Sequence, residues 1–505
     1  MHAIPSKSVV SRGPWPLSRI PLAWGMVLAI GITALAAGNL VRLSSDPFSN
    51  SASEHKTEVE PDTYAFGSTI VSAFQTARVP AGGSADIGFA TSTNGGTTWT
   101  HGFLPGLTVN YKKGTFFAVS DPSVAYDPKH GVWLILSLPI TKNEAAVDVA
   151  VSSSPDGINW ANPVMVDQSG VDDKTWLTCD TTSTSPFYGN CYAEWDQGFS
   201  TGLAQMSTST DGGNTWGAAK SSGDRLSGTG GQPLVQPNGT VVVPIESDFT
   251  GGIVAFTSTN GGTSWTSSKS VATINARGQD GGLRSPQLIS ATVDGAGTIY
   301  VVWSDCRFRT GCSTDDIVMS TSTDGVHWSA VTRIPIDATT TTVDHFIPGI
   351  GADPTTSGIT AHLAMTYYYY PVAACGNSCQ LNVGFTTSED GGQTWTAGKH
   401  LSGPITLSWI TPSDLGQMVA DYLAVAYSNG NPFGVFATAA APSGSTLDEF
   451  MATTTAPLLT AADEPRFSSA GEMPVAQKPF VRRFYDDEGR NPIPPSAQVR
   501  QPPRD

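Results

Sequence analysis

One short phrase governs what this chain can fold into. It reads Ser92-Thr93-Asn94-Gly95-Gly96-Thr97-Thr98-Trp99 and returns as STDGGNTW at 209–216, STNGGTSW at 258–265 and SEDGGQTW at 388–395. Two copies are one residue shorter, SPDGINW at 154–160 and STDGVHW at 322–328. Successive copies start 62, 55, 49, 64 and 66 residues apart. Each residue type in the phrase has a job in a tight turn. The Asp or Asn side chain accepts backbone N–H bonds. Glycine takes the left-handed backbone positions. Trp folds back as an apolar plug whose indole N–H needs an acceptor. A short strand pattern precedes each copy, as in DIGFATS, GIVAFTS and LNVGFTTS, and two more apolar runs lie upstream, as in QPLVQP and TVVVPIE before Trp265. The spacing therefore suits one four-stranded antiparallel sheet per repeat, with the phrase as the turn between strands three and four.

Composition removes the competing classes. The 505 residues carry 43 acids against 27 bases, a net charge of −16, so the chain lacks the basic surface that nucleic acid demands. Only 14% of residues are charged, too few for a long coiled coil. The 13 Trp, 20 Phe and 13 Tyr argue against a disordered chain. What fits is an all-β protein built from radially repeated sheets, a β-propeller. The first strands of the sheets are expected to begin at Glu60-Pro61-Asp62, Asp121-Pro122-Ser123, Lys174-Thr175-Trp176, Gln232-Pro233-Leu234, Arg284-Ser285-Pro286, His345-Phe346-Ile347 and Asp421-Tyr422-Leu423. These starts favour seven blades, with six as the alternative. The last blade is expected to use 418–428, PFGVFATAA at 432–440 and EFMATTT at 449–455 and to be closed by an N-terminal strand.

The ends read differently. Residues 1–19 hold Lys7, Arg12 and Arg19 and no acid, and residues 20–41 are uncharged. Residues 1–41 therefore read as a signal peptide, cleaved after the Ala34-Leu35-Ala36 pattern, or as a signal anchor of spanning length. Either places the rest outside the cytoplasm, secreted or anchored by one N-terminal membrane helix, with no other membrane contact. Residues 42–57 read as a linker, 58–456 as the propeller and 457–505 as a Pro-rich disordered tail.

The six cysteines fall in close pairs: Cys179 with Cys191, Cys306 with Cys312, and Cys375 with Cys379. In an exported chain these read as disulfides; no pair has metal-ligand spacing, so no zinc is expected. The bridge from Cys179 to Cys191 is expected across a connection between strands one and two. Those ending at Cys312 and Cys379 are expected in loops between strands two and three, where they would rigidify one face.

The repeated phrase resembles the Asp box, or bacterial neuraminidase repeat, of sialidase-like propellers, over about 58 to 441. The resemblance implies an exported exo-α-sialidase-like glycoside hydrolase whose partner is a glycan or glycoconjugate. It implies three arginines clamping a substrate carboxylate, a Tyr nucleophile activated by a Glu, and an Asp acid/base. The alternative is a non-catalytic Asp-box propeller that binds a surface glycan or protein. Strand alternation puts all the boxes on one face, so first-strand starts and second-strand ends share the other face, where a ligand is expected. On that face Asp121, Glu246 and Tyr422 are the catalytic candidates, with any of Tyr367 to Tyr370 as an alternative nucleophile. Arg78, Arg284, Arg307, His345 and Tyr368 are the substrate-binding candidates. The string Arg333-Ile334-Pro335, a sialidase signature when it opens the first blade, here follows the fifth box and is expected on an outer strand. No cofactor is expected, although the Asp172-Asp173 and Asp315-Asp316 pairs could bind Ca²⁺.

Overall fold

The computed structural model describes residues 40–142, 146–198, 202–455, 458 and 464–475. The described residues all lie in one compact unit, and its main strands run as seven successive antiparallel groups, called sheets below, the first two joined edge to edge through the Ser84–Val119 pair. The first holds Glu58–Phe66, Thr69–Arg78, Ser84–Ser92 and Thr100–Phe103, and the second holds Ala118–Asp127, Val132–Ile140, Val149–Ser154 and Val164–Asp167. The third runs Asp172–Cys179, Cys191–Gln197, Leu203–Ser209, Lys220–Ser221. In the fourth, the short pieces Gly228–Thr229 and Leu234–Val235 together pair with Val241–Ser247, which is followed by Gly252–Ser258 and Lys269–Thr273. The fifth runs Ser290–Val293, Ile299–Asp305, Asp316–Ser322, Thr332–Arg333, and the sixth Asp344–Ala352, Leu363–Tyr370, Gln380–Ser388, Lys399–Thr406. In the seventh, Val425–Ser428 pairs with Asn431–Gly434; the chain continues into Phe436–Ala439, which pairs with Glu449–Thr454, and the N-terminal Leu40–Arg42 adds the outer strand.

Strands buried on both faces read as continuous apolar runs, as in Val132–Ile140 (VWLILSLPI). Between neighbouring sheets these faces interdigitate. Leu134, Leu136 and Leu138 of the second sheet pack on Leu177, Ala193 and Trp195 of the third. Tyr192 and Met206 of the third pack on Val243 and Phe256 of the fourth. A similar layer joins each later pair, and Ala426 and Phe433 of the seventh sheet pack on Ile70 of the first. The first strands touch in chain order, and that of the seventh sheet touches that of the first.

Every repeated phrase forms the turn between strands three and four. In the sixth sheet, Ser388 Oγ donates to Asp390 Oδ1 (2.8 Å) and accepts from Gly392 N–H (2.9 Å), while Asp390 Oδ1 accepts from Thr394 N–H (2.8 Å). Trp395 Nε1 donates to the Gly392 carbonyl at 3.1 Å. Gly392 has φ +84°, a left-handed conformation in which any other residue is strained, and a Cβ there would also push Met319 Cε, 2.6 Å away, aside. In the shortened copies a glycine still stands three residues before the tryptophan, but the indole N–H groups of Trp160 and Trp328 have no hydrogen-bond partner, and the Gly157 carbonyl accepts from Thr91 Oγ1 instead. Trp265 also lacks one despite its glycine pair; its ring is held edge-on by Tyr192 and Phe256.

All six cysteines are disulfide-bonded in the expected pairs. Cys179 bonds Cys191 across the turn between strands one and two of the third sheet. Cys306 bonds Cys312 and Cys375 bonds Cys379, each in the connection between strands two and three of its sheet. Their setting differs from the expected one of staples lying over a ligand. Cys312 and Cys379 are buried, and Cys379 belongs to the apolar cluster that also holds Leu283, Leu381 and Leu407. A half-cystine has no polar hydrogen to satisfy and packs as an apolar group. The two bridges therefore tie their loops down to the core.

Both chain ends depart from expectation. Residues 42–57 are not a free linker: Leu43 is buried in the core, and Ser44 Oγ donates to Glu58 Oε2 at 2.8 Å. The expected tail is partly docked. Arg466–Phe467 pairs with Trp395–Thr396, and Glu472 takes the guanidinium of Arg333 at 2.7 and 2.9 Å. Apolar and charged residues spaced along an otherwise Pro-rich stretch give it this grip. Arg333 thus lies on an outer strand, bound to the tail. Most of the expected signal or anchor segment and of the tail lies outside the described residues. Among the described residues no helix is long and apolar enough to cross a membrane.

Candidate functional site

The first strands share a local defect. Ladder register shifts between Val59 and Asp62, Ser120 and Ser123, Asp173 and Thr175, and Phe346 and Gly349. At each shift one non-glycine residue turns left-handed: Glu60 (φ 55°), Asp121 (45°), Lys174 (36°) and Ile347 (47°). A bulge of this kind re-aims one side chain without ending the strand. Proline follows Glu60, Asp121 and Ile347 and has no N–H to leave unpaired where pairing lapses. Left-handed backbone on such residues costs about 1–2 kcal/mol and persists only where surroundings impose it.

The bulges of the first three sheets deliver one charge each to a common point. Lys174 Nζ lies 2.8 Å from Asp421 Oδ2, 3.4 Å from Asp121 Oδ2 and 3.8 Å from Glu60 Oε1. Arg284 grips Asp421 with two nitrogens, Nε at 2.8 Å from Oδ1 and Nη2 on Oδ2. Gln75 Nε2 donates to Glu60 Oε2 and to Ser120 Oγ (3.0 Å), and Ser120 Oγ donates to Asp121 Oδ1 at 2.6 Å. Tyr422 donates its hydroxyl to the Pro122 carbonyl at 3.1 Å and meets Trp176 edge-on, ring centres 5.3 Å apart. Every charged member is 3% exposed or less. Two cations thus face three carboxylates in a dry knot. Burial pushes Glu60 well above the usual carboxylate range despite Lys174. Against the same penalty, Arg284 and Lys174 hold Asp421 well below it. Burial, with Glu60 and Asp121 beside it, drives the Tyr422 phenol well above its ordinary value.

Of the residues singled out from sequence, Asp121, Arg284 and Tyr422 meet in this knot. Arg78 reaches its margin, donating from Nη1 to Gln75 Oε1 at 2.7 Å. The others lie elsewhere. Glu246 stands in the ladder of the fourth sheet, paired with Ile253 and Thr229. Arg307 is held by Asp305 at 2.8 and 2.7 Å. His345 is buried beside Tyr367 and Tyr369, at 5.5 and 6.3 Å between ring centres. Tyr368 is in the core rather than at a site, its hydroxyl donating to the Ala437 carbonyl at 2.8 Å. Asp315 takes backbone N–H of Arg277, and Asp316 takes Arg309, so that aspartate pair is engaged by protein groups. Sequence reasoning placed Lys174, Glu60 and Asp421 at strand starts without assigning them roles; charge followed by Pro at a strand start was the available signal for Glu60.

Other buried acids make stability depend on pH. Burial raises Glu58 to about 8, Asp62 to about 7, Asp172 to about 7 and Asp344 to about 6. Unfolded, these groups titrate near 4. The folded state therefore holds their protons more tightly, and their contribution is full below about pH 4 and lost as pH rises toward 8. The melting temperature should fall by at least about 5 °C between pH 5 and pH 8. A flat profile across that range, measured by calorimetry, would contradict this burial.

Residues 134–349 match the family model described as a BNR repeat-like domain, so this central stretch has a BNR repeat-like fold. No curated protein matches the chain. Among solved structures, it is similar to the Hadza microbial sialidase Hz136, with 16% identity, 62% of this chain and 64% of that one covered, and a TM-score of 0.42. It thus spans just under two thirds of that protein's length. A protein of unknown function from Dyadobacter fermentans gives 14% identity, 70% and 100% coverage and a TM-score of 0.44. The Trypanosoma rangeli sialidase gives 11%, 84% and 60%, and 0.43. Likeness this distant says nothing of what the chain does.

Proposed function

We propose that the seven sheets close into a sialidase-like β-propeller, exported from the cytoplasm, whose face opposite the Asp boxes binds neutral glycans without cleaving sialosides. Closure is supported by the ordered contacts of the first strands and by the apolar layer between the last sheet and the first. Three disulfides in one chain favour an oxidising compartment. The observation that carries the binding reading is the state of the cations. Arg284 and Lys174 are both committed to Asp421, and Arg307 to Asp305. A sugar carboxylate would have to displace Asp421 and enter a cluster with an acid surplus, on a chain of charge −16. A neutral sugar meets no such penalty. Phe249, 68% exposed in the turn after Val241–Ser247, offers an apolar surface on the same face for stacking against a sugar ring.

A second reading, hydrolysis, has one observation in its favour: Asp121, Glu60 and Tyr422 converge. Fluorogenic sialosides and neutral glycosides, together with a glycan array, separate the two. The expected result is retention of neutral glycans with no release of fluorophore, and retention weakened about tenfold in Phe249→Ala. Fluorophore release that disappears in Asp121→Asn and Tyr422→Phe would replace binding by catalysis. An array with no retained glycan and no turnover would overturn both.

A further inference from the structure

The third and fourth sheets hold a second group of acids, distinct from Glu60, Asp121 and Asp421. Glu194 and Asp196 stand two residues apart on Cys191–Gln197, so their side chains leave the same face of the strand. That face turns toward the fourth sheet, as Tyr192 on it packs against Val243 and Phe256. Glu194 is fully buried, and neither of its carboxylate oxygens has a hydrogen-bond partner. Asp196, 4% exposed, accepts from Gly230 N–H at 3.0 Å through Oδ2, but its Oδ1 has none. The backbone is pressed onto the pair: a Cβ at Gly231 would lie 2.6 to 3.0 Å from the Glu194 carboxyl atoms. The charges that act on Asp196 are acids, Glu194 first, then Asp173 and Asp248.

An ionised carboxylate buried without a partner costs several kcal/mol, and two side by side cost more. One shared proton satisfies at most two of the three orphaned oxygens. A single hard cation satisfies all three. Oxygen-only ligands and loose geometry suit calcium, whereas magnesium demands a near-ideal octahedron and keeps its water. A rival cluster fails on this count. Asp316, Asp337 and His345 bring ligand atoms within 4.8 Å of one another, but Arg309 already bonds both aspartates. We infer that the third and fourth sheets hold a calcium site between them, with Glu194 and Asp196 as its side-chain ligands.

The test uses the full chain, stripped with chelator and dialysed against calcium. Wild type should retain about one calcium per chain by elemental analysis, and its melting temperature should rise by about 3 °C or more as CaCl₂ is titrated to millimolar levels. Glu194→Gln and Asp196→Asn remove charge repulsion, so both should fold without calcium, and both should lose the retained ion and most of the rise. MgCl₂ should do less than CaCl₂. A wild-type melting temperature that ignores calcium would overturn the inference. So would a Glu194→Gln protein that binds calcium as wild type does, or a magnesium response equal to that of calcium. None of these readouts depends on glycan binding, so this site and the proposed function fail separately.

Discussion

Asp421→Asn is expected to cost about 3–5 kcal/mol of folding stability, the range for breaking one partner out of a buried ion pair. The substitution keeps the volume and removes the charge that both Arg284 and Lys174 face at 2.8 Å. What remains is two buried cations that share only Asp121 and Glu60, with Lys174 3.4 Å from the first and 3.8 Å from the second and Arg284 also acting on Glu60. Burial holds Glu60 toward its protonated form, so it is a weak substitute. In a domain of this size the loss should appear as a melting temperature lower by roughly 5 °C. Asp448→Asn is the control. Its pairing with Arg42 is partly exposed, with side chains 33% and 42% accessible, and exposed pairs contribute about 0–1 kcal/mol. If both substitutions had the same small effect, the knot would not be buried as described.

The second large effect is expected at the box turns, and it should differ between copies. Trp395 is 1% exposed and packs with Ile334, Ile336 and Met365 between the fifth and sixth sheets. Trp395→Ala should cost about 3–5 kcal/mol through lost burial and the cavity left behind. Trp216 occupies the equivalent place, and its indole makes the same bond to a glycine carbonyl, at 3.3 Å, but the ring is only half-buried. Trp216→Ala should cost clearly less, about 1–2 kcal/mol. Urea denaturation of both variants checks the order. Equal costs would mean that the local turn, rather than packing between sheets, sets the value of the tryptophan.

The architecture was legible because the box is a local code. Ser388, Asp390, Gly392 and Trp395 bond to one another within eight residues, so sequence spacing maps directly onto geometry. The disulfides were legible for the same reason, since each joins cysteines 4 to 12 residues apart. That Cys312 and Cys379 face inward was not, because burial is decided by sheets far away in the chain. The strand starts carried a local mark too: charge-then-proline flags Glu60 and Asp121 as bulges. What was not legible is which charges find each other. Lys174 and Asp421 are 247 residues apart, and Arg284 and Asp421 are 137. No local pattern says that Asp421 holds both cations, and that single fact turns a candidate substrate clamp into a closed knot. Tyr368 shows the same limit. Four consecutive tyrosines look like a site, yet strand alternation sends Tyr368 into the core and Tyr367 and Tyr369 to the other face. The docked tail was missed because its grip comes from isolated residues, such as Glu472 on Arg333, within a composition that reads as unstructured.

Coupling between Lys174 and Asp421 tests the arrangement most directly. They sit in the third and seventh sheets and can touch only if first strands from distant parts of the chain meet at one axis. A double-mutant cycle of Lys174→Met and Asp421→Asn, read by denaturant unfolding, should give an interaction energy of about 2 kcal/mol or more. Additive effects, with coupling below about 0.5 kcal/mol, would contradict the gathering of these charges at a common centre.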